Sequence, residues 1–150
     1  MINTTNTEEA KKLIKDAREE QRGPVIIKAQ NDDFNRKILE YGHFDILLSP
    51  EAGNRKDSLR QQDSGFNHVL AKIAAKKRIS LGIDLQEISL LSKKEKSIRL
   101  ARIKQNIEIC RKTGTKLKIL NAPDKRVAYS LLLVLGASSQ QAKEAITFLN

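Results

Sequence analysis

The chain has 150 residues with 28 Lys or Arg against 18 Asp or Glu, a formal net charge of +10, and 39% apolar side chains. That is the size of one ordinary domain with enough apolar content for a core, and the mixed charge excludes a disordered tail. A lone Cys110 and two histidines, His43 and His68, argue against a disulfide framework, a cysteine zinc site and a His-rich metal centre. Met1–Glu9 carries no apolar secretory stretch, and no apolar run reaches the roughly 20 residues of a membrane span, so a cytoplasmic location is expected.

Thr7–Arg22 predicts a helix capped by Thr7, with Ala10, Leu13, Ile14 and Ala17 as its apolar stripe and Gly23-Pro24 as its stop. Val25–Ile27 predicts a short buried strand. Asp32–Tyr41 predicts a second helix ended by Gly42, and Phe44–Leu48 a second strand. Ser49–Ser64 predicts a long polar loop. Gly65–Arg78 predicts a third helix starting at Asp63-Ser64-Gly65, and Ile79–Leu85 a third strand. Ser92–Thr113 predicts a long helix, with Ser92 and Glu95 at capping-box spacing and Gly114 as its stop. Leu117–Leu120 predicts a fourth strand with an open face, because Lys116 and Lys118 alternate with Leu117 and Ile119. Two helices, Pro123–Leu135 and Ser138–Leu149, close the chain, the second with Ser138 and Gln141 at capping-box spacing.

Alternating helices and strands predict an α/β fold with parallel strands and crossover helices. Four strands are too few for an eight-stranded barrel, so the expectation is an open or incomplete TIM-barrel-like architecture or a small doubly wound sheet, spanning residues 1–150 as one domain.

The charge is uneven. Residues 1–50 carry 8 basic and 9 acidic side chains, and residues 51–150 carry 20 and 9. Such a field attracts polyanions, and nucleic acid suits it better than a membrane surface. Aromatic residues are scarce, so phosphate contact and shape recognition fit better than base stacking on rings. After the second strand, Arg55, Lys56 and Arg60 lie in a loop expected at the carboxyl end of the sheet, next to a helix N-terminus; together these favour phosphate. His68, Lys72 and Lys76 recur every four residues on the following helix, away from the stripe of Phe66, Leu70 and Ile73. Catalysis is the last-ranked role for His68, because no carboxylate or cysteine is arranged to activate it. Asp84 reads as a helix cap or ion-pair partner rather than a metal ligand, and Cys110 as a small core residue.

Asp45-Ile46-Leu47, the turn Arg55-Lys56-Asp57-Ser58, the run Gly65-Phe66-Asn67-His68-Val69-Leu70-Ala71-Lys72, the strand ending Ile83-Asp84-Leu85, and Arg99, Arg102 and Asn106 on the long helix form a distinctive set. In these residues the sequence resembles the ribonuclease P protein component 3 family, the thirty-kilodalton protein subunit of archaeal and eukaryotic ribonuclease P. The resemblance implies a barrel-like fold related to metal-dependent hydrolases but lacking their metal site. It implies an RNA-binding, noncatalytic subunit of an endonuclease whose catalytic RNA, with its own Mg²⁺, removes the 5′ leader of precursor tRNA. No cofactor is expected on the protein. The implied partners are ribonuclease P RNA, precursor tRNA and a smaller ferredoxin-like protein subunit, with no membrane.

The family's further N-terminal β/α units have no counterpart here, which leaves the barrel open or completed by a partner. Leu59–Asp63 looks like an insertion, and Asn121-Ala122-Pro123 replaces a more Ser/Gly-rich turn. Several by family position and all by charge, Arg55, Lys56, His68, Lys72, Lys77, Arg99, Arg102 and Lys112 are the expected RNA-facing residues, with none catalytic and none binding metal. Two alternatives remain at this point: a metal-dependent hydrolase of the same barrel class, and a nonspecific nucleic-acid-binding scaffold.

Overall fold

The computed structural model describes residues 1–21 and 23–147. The expected helix ends at Arg22 and Leu149 lie outside the described residues. Among the described residues four strands form one sheet: β1 Ile26–Lys28, β2 Ile46–Leu48, β3 Ser80–Asp84 and β4 Leu117–Leu120. All neighbours are parallel, in the spatial order β1-β2-β3-β4. Chain order and spatial order coincide, so the sheet never reverses as a doubly wound one does. It is a segment of an open barrel wall.

The helices are α1 Thr7–Glu19, α2 Asp32–Tyr41, α3 His68–Lys77, α4 Leu85–Ser89, α5 Lys93–Thr113, α6 Lys125–Val134 and α7 Ser139–Ile146. Both expected capping boxes are present, Ser92 with Glu95 and Ser138 with Gln141. The first cap differs from expectation. Asn6, not Thr7, accepts from the backbone N–H groups of Glu8 and Glu9, since Asn6 is the residue with extended backbone that places its Oδ1 over the first turn, while Thr7 is already helical. The five-residue α4, too short to show a period, has no counterpart in the sequence reading. Asp84 caps it by accepting from Glu87 N at 3.0 Å, and also accepts from Asn121 Nδ2 at 2.9 Å.

Alternation along the strands divides the apolar side chains between two faces. Ile27, Leu47, Leu81, Ile83, Leu117 and Ile119 join the main core with Ile14, Ile38, Ala74, Ile103, Ile107 and Leu132 from the helices. Ile46, Leu48 and Leu120, with Ile26 against them, form a second, smaller cluster on the other face. Gly82 makes that cluster possible. A Cβ there would lie 2.6 Å from Ile46 Cγ2 and 3.0 Å from Leu48 Cδ1. Lys118 is half-buried, and its ammonium donates to Glu144 O and Thr147 Oγ1 at the end of α7. Cys110 is buried in the main core, and burial pushes its thiol up to about 12, which leaves it inert. Among the described residues no helix is long and apolar enough to cross a membrane.

Candidate nucleic-acid interface

At Ser49 the chain leaves β2 with φ +54 and runs as a long loop to Asn67, beyond the carboxyl ends of the strands. What holds this loop is a set of arginines. Arg99, Arg102 and Asn106 follow one another along one side of α5 and turn toward it. Arg99 donates to Glu51 Oε1 at 3.2 Å and to Glu87 Oε1 at 3.1 Å. Glu87 also pairs with Lys28 from the end of β1. Arg102 donates to the carbonyls of Glu51 and Arg55 at 3.2 and 3.0 Å and grips both oxygens of Asp57 at 3.2 Å. Asn106 donates to Ser64 O at 3.2 Å. Arg55 donates to Pro50 O at 2.7 Å and, through Nη1, to Asp32 and Asp63, each at 2.9 Å.

The Arg55, Arg99 and Arg102 side chains are only 8%, 8% and 7% exposed. The expectation that these three face RNA is therefore corrected: they face inward. The physical reason is that a long loop has many backbone carbonyls and a few carboxylates to satisfy, and the guanidinium fork satisfies several at once. Charge alone cannot distinguish such a brace from a surface contact.

The titration of the carboxylates follows the same geometry. Glu51 is completely buried, and desolvation raises its pKa although Arg99 opposes this. For Glu87, burial acts upward, but the hydrogen bond and charge of Lys28, with Arg99, outweigh it and hold the group low. Asp57 is held low by the Arg102 hydrogen bond and by the backbone N–H of Asp63.

The helix start also moves. The expected start at Asp63-Ser64-Gly65 is corrected: α3 begins at His68, with Asn67 as its cap accepting from Leu70 N at 2.9 Å. Gly65 stands at φ +67, outside helical space, and a Cβ there would fall 2.0 Å from Pro50 O and 2.5 Å from the Arg55 guanidinium. The loop closes over its own arginine at that glycine. Phe66 and Leu70 are buried as expected, and Ile73 is half-buried.

Lys56, His68, Lys72, Lys77 and Lys112 are exposed. Lys56, His68 and Lys112 line one cleft of about 550 Å³ between the loop and α5, beside the N-terminus of α3. Lys72 stands one turn further along α3. Lys77 ends that helix about 14 Å from His68, at the rise of a helical residue, and lies against Gly42. The expected eight residues thus divide into three inward braces, three cleft residues and two along the outside of α3. Three acidic groups share the cleft, and each is engaged: Asp32 and Asp63 with Arg55, Glu108 with Lys112 at 2.7 Å. The sequence reading missed Glu51, Asp57 and Glu87 as anchors. The i, i+3, i+7 spacing of Arg99, Arg102 and Asn106 was the available signal, since it places three hydrogen-bonding side chains on one line of a helix. Among the described residues no group of three or more His, Cys, Asp and Glu side chains is placed to hold a metal ion.

No family model matches the sequence. Curated proteins do. Ribonuclease P protein component 3 of Methanosarcina acetivorans is 32% identical over 133 residues, covering 82% of this chain and 51% of that protein. The protein of the same name from Methanococcus maripaludis is 25% identical over 118 residues, covering 79% and 47%. The chain is similar in sequence to ribonuclease P protein component 3. It spans about half the length of the curated relatives it matches. The fold agrees. A chain in the cryo-EM structure of an archaeal ribonuclease P with mature tRNA superposes with a TM-score of 0.79 at 21% identity, over 97% of this chain and 62% of that one. A crystal structure of an uncharacterized protein gives 0.64 at 14% identity, over 93% and 36%. The component 3 likeness therefore rests on sequence, and the open barrel wall on both sequence and structure.

Proposed function

We propose that the chain is an RNA-binding protein subunit of ribonuclease P that assists the catalytic RNA in removing the 5′ leader from precursor tRNA. The observation that carries this is the component 3 similarity over four-fifths of the chain, joined to a cleft at the carboxyl end of the sheet with exposed Lys56, His68 and Lys112. On this reading Lys56, Lys72, Lys77 and Lys112 neutralise phosphates and His68 hydrogen-bonds to the RNA. Arg55, Arg99 and Arg102 keep the loop in the shape that presents Lys56. The protein contributes no catalytic group and no cofactor. Mg²⁺ on the RNA performs the hydrolysis, and a smaller ferredoxin-like subunit completes the protein side. The hydrolase alternative would need a cluster of metal ligands on this chain, which the His, Cys, Asp and Glu positions among the described residues do not favour.

The test is binding of an archaeal ribonuclease P RNA by the chain and by a variant with Lys56, His68 and Lys112 replaced by Ala. These side chains are exposed, so the variant folds, and its affinity falls about tenfold or more as contacts of about 1.4 kcal/mol or more are lost. An unchanged affinity overturns the assignment of this cleft.

A further inference from the structure

The loop beyond Lys56 does more than carry a charge. Its outer turn is closed on itself: Ser58 N donates to Gln61 O at 2.8 Å, and Gln61 N to Ser58 Oγ at 3.0 Å. Its two stems are tied together, with Asp63 N donating to Asp57 Oδ1 at 2.7 Å, and are anchored to the body through Arg102 and Arg55. This braced turn holds Leu59 fully exposed at its tip, next to Arg60.

Between the turn and α5 runs a groove of about 670 Å³, contiguous with the cleft of Lys56 and His68. Its lining sorts by chemistry. Leu59 and Ala101 supply apolar surface. Gln61, Gln62 and Gln105 supply amides that have no hydrogen-bond partner among the described residues. Arg60 and Lys104 supply exposed cations. Two carboxylates also line the groove and each is already engaged, Asp57 by Arg102 and Glu108 by Lys112.

A ligand that suits all three has a flat apolar face, an edge with both donors and acceptors, and an adjacent negative charge. An amide offers both a donor and an acceptor to such an edge. Unpaired RNA bases present their edges and faces to protein in this way, whereas paired A-form bases do not. The volume lies within the range of small-ligand sites. We propose that this groove receives a single unpaired nucleotide of the bound RNA. The base packs between Leu59 and Ala101, the glutamine amides meet its edge, and Arg60 and Lys104 meet its phosphates. This rests on the RNA-binding reading above and adds to it a preference for unpaired over paired RNA.

The experiment compares two probes of equal nucleotide count in one buffer, a blunt RNA duplex and an RNA hairpin with an unpaired loop. They are titrated with the chain, with a Gln61→Ala/Gln105→Ala variant and with Leu59→Ser. Thermal melts confirm that these substitutions leave the fold intact. The expected result is at least about tenfold tighter binding of the hairpin by the parent chain, lost in both variants while duplex affinity stays the same. Photocrosslinks from 4-thiouridine in the hairpin loop land on residues 59–62 and 101–105. Equal affinity for the two probes, or a preference that survives both variants, overturns the proposal while leaving phosphate-driven RNA binding in place. Binding of neither probe overturns the RNA-binding reading with it. Protection of Leu59 and Gln105 by a protein subunit rather than by RNA assigns the groove to a protein and overturns the nucleotide site.

Discussion

Arg99 and Glu51 make the strongest residue-level test of the loop's bracing, because both are buried and each is the other's partner. Arg99→Ala leaves a carboxylate without its counter-charge and is expected to destabilise the chain by about 3 kcal/mol near neutral pH. Adding Glu51→Gln removes the stranded charge, so the double variant melts above Arg99→Ala alone, a coupling that two independent losses would not give. The pH dependence has a definite sign. Glu51 has a raised folded pKa, so its contribution is present below the unfolded value and lost as pH rises through the folded one. The deficit of Arg99→Ala relative to the parent therefore narrows as the solution is acidified. Asp57 and Glu87 are held low, so their contributions are present above the unfolded values and lost as pH falls through the folded ones. The parent's melting temperature should hold steady near neutrality and decline below about pH 4, where carboxylates begin to take protons. Melts of the three proteins from pH 7 to pH 3 check both statements.

Elements with a strong local signal were legible before any coordinates. The capping boxes at Ser92 and Ser138 lie where their spacing puts them, and Asp32–Tyr41 forms as read. The start of α3 was not legible, because Asp63-Ser64-Gly65 carries the residue types of a helix entry while performing a different task. Asp63 holds Arg55, and Gly65 lets the loop pass against Pro50. That constraint is tertiary and has no period in the sequence. It leads to a prediction at the element scale. Gly65→Ala is expected to cost at least about 1–3 kcal/mol, from the positive φ alone, and to loosen the loop against proteolysis. Gly53→Ala, also at positive φ but with open space around it, costs less. Limited proteolysis of the two variants separates steric closure at Gly65 from backbone strain shared by both.

Across the whole molecule, the excess of positive charge in residues 51–150 was readable as an affinity for polyanions, but its distribution was not. A count of basic residues treats Arg102 and Lys104 alike, whereas one is 7% exposed and gripped by a carboxylate and the other lies open on α5. The surface that meets phosphate is thus smaller than the count suggests. Each phosphate contact contributes about 0.7–0.9 to the slope of log affinity against log salt. With the four lysines of the proposed function, a slope of about −3 to −4 is expected for ribonuclease P RNA, and replacing Lys72 and Lys77 together should reduce its magnitude by about 1–2. A slope near zero would mean that the basic face does not touch the backbone.

The most direct measurement is precursor-tRNA cleavage by a particle reconstituted from archaeal ribonuclease P RNA and its other protein subunits, with component 3 either omitted or replaced by this chain. The account predicts that adding the chain restores Mg²⁺-dependent release of the 5′ leader, and that the Lys56/His68/Lys112 triple Ala variant restores it at least about tenfold less well at limiting protein. A particle that cleaves no better with the chain than without it, while the chain remains folded, would contradict the assignment to ribonuclease P.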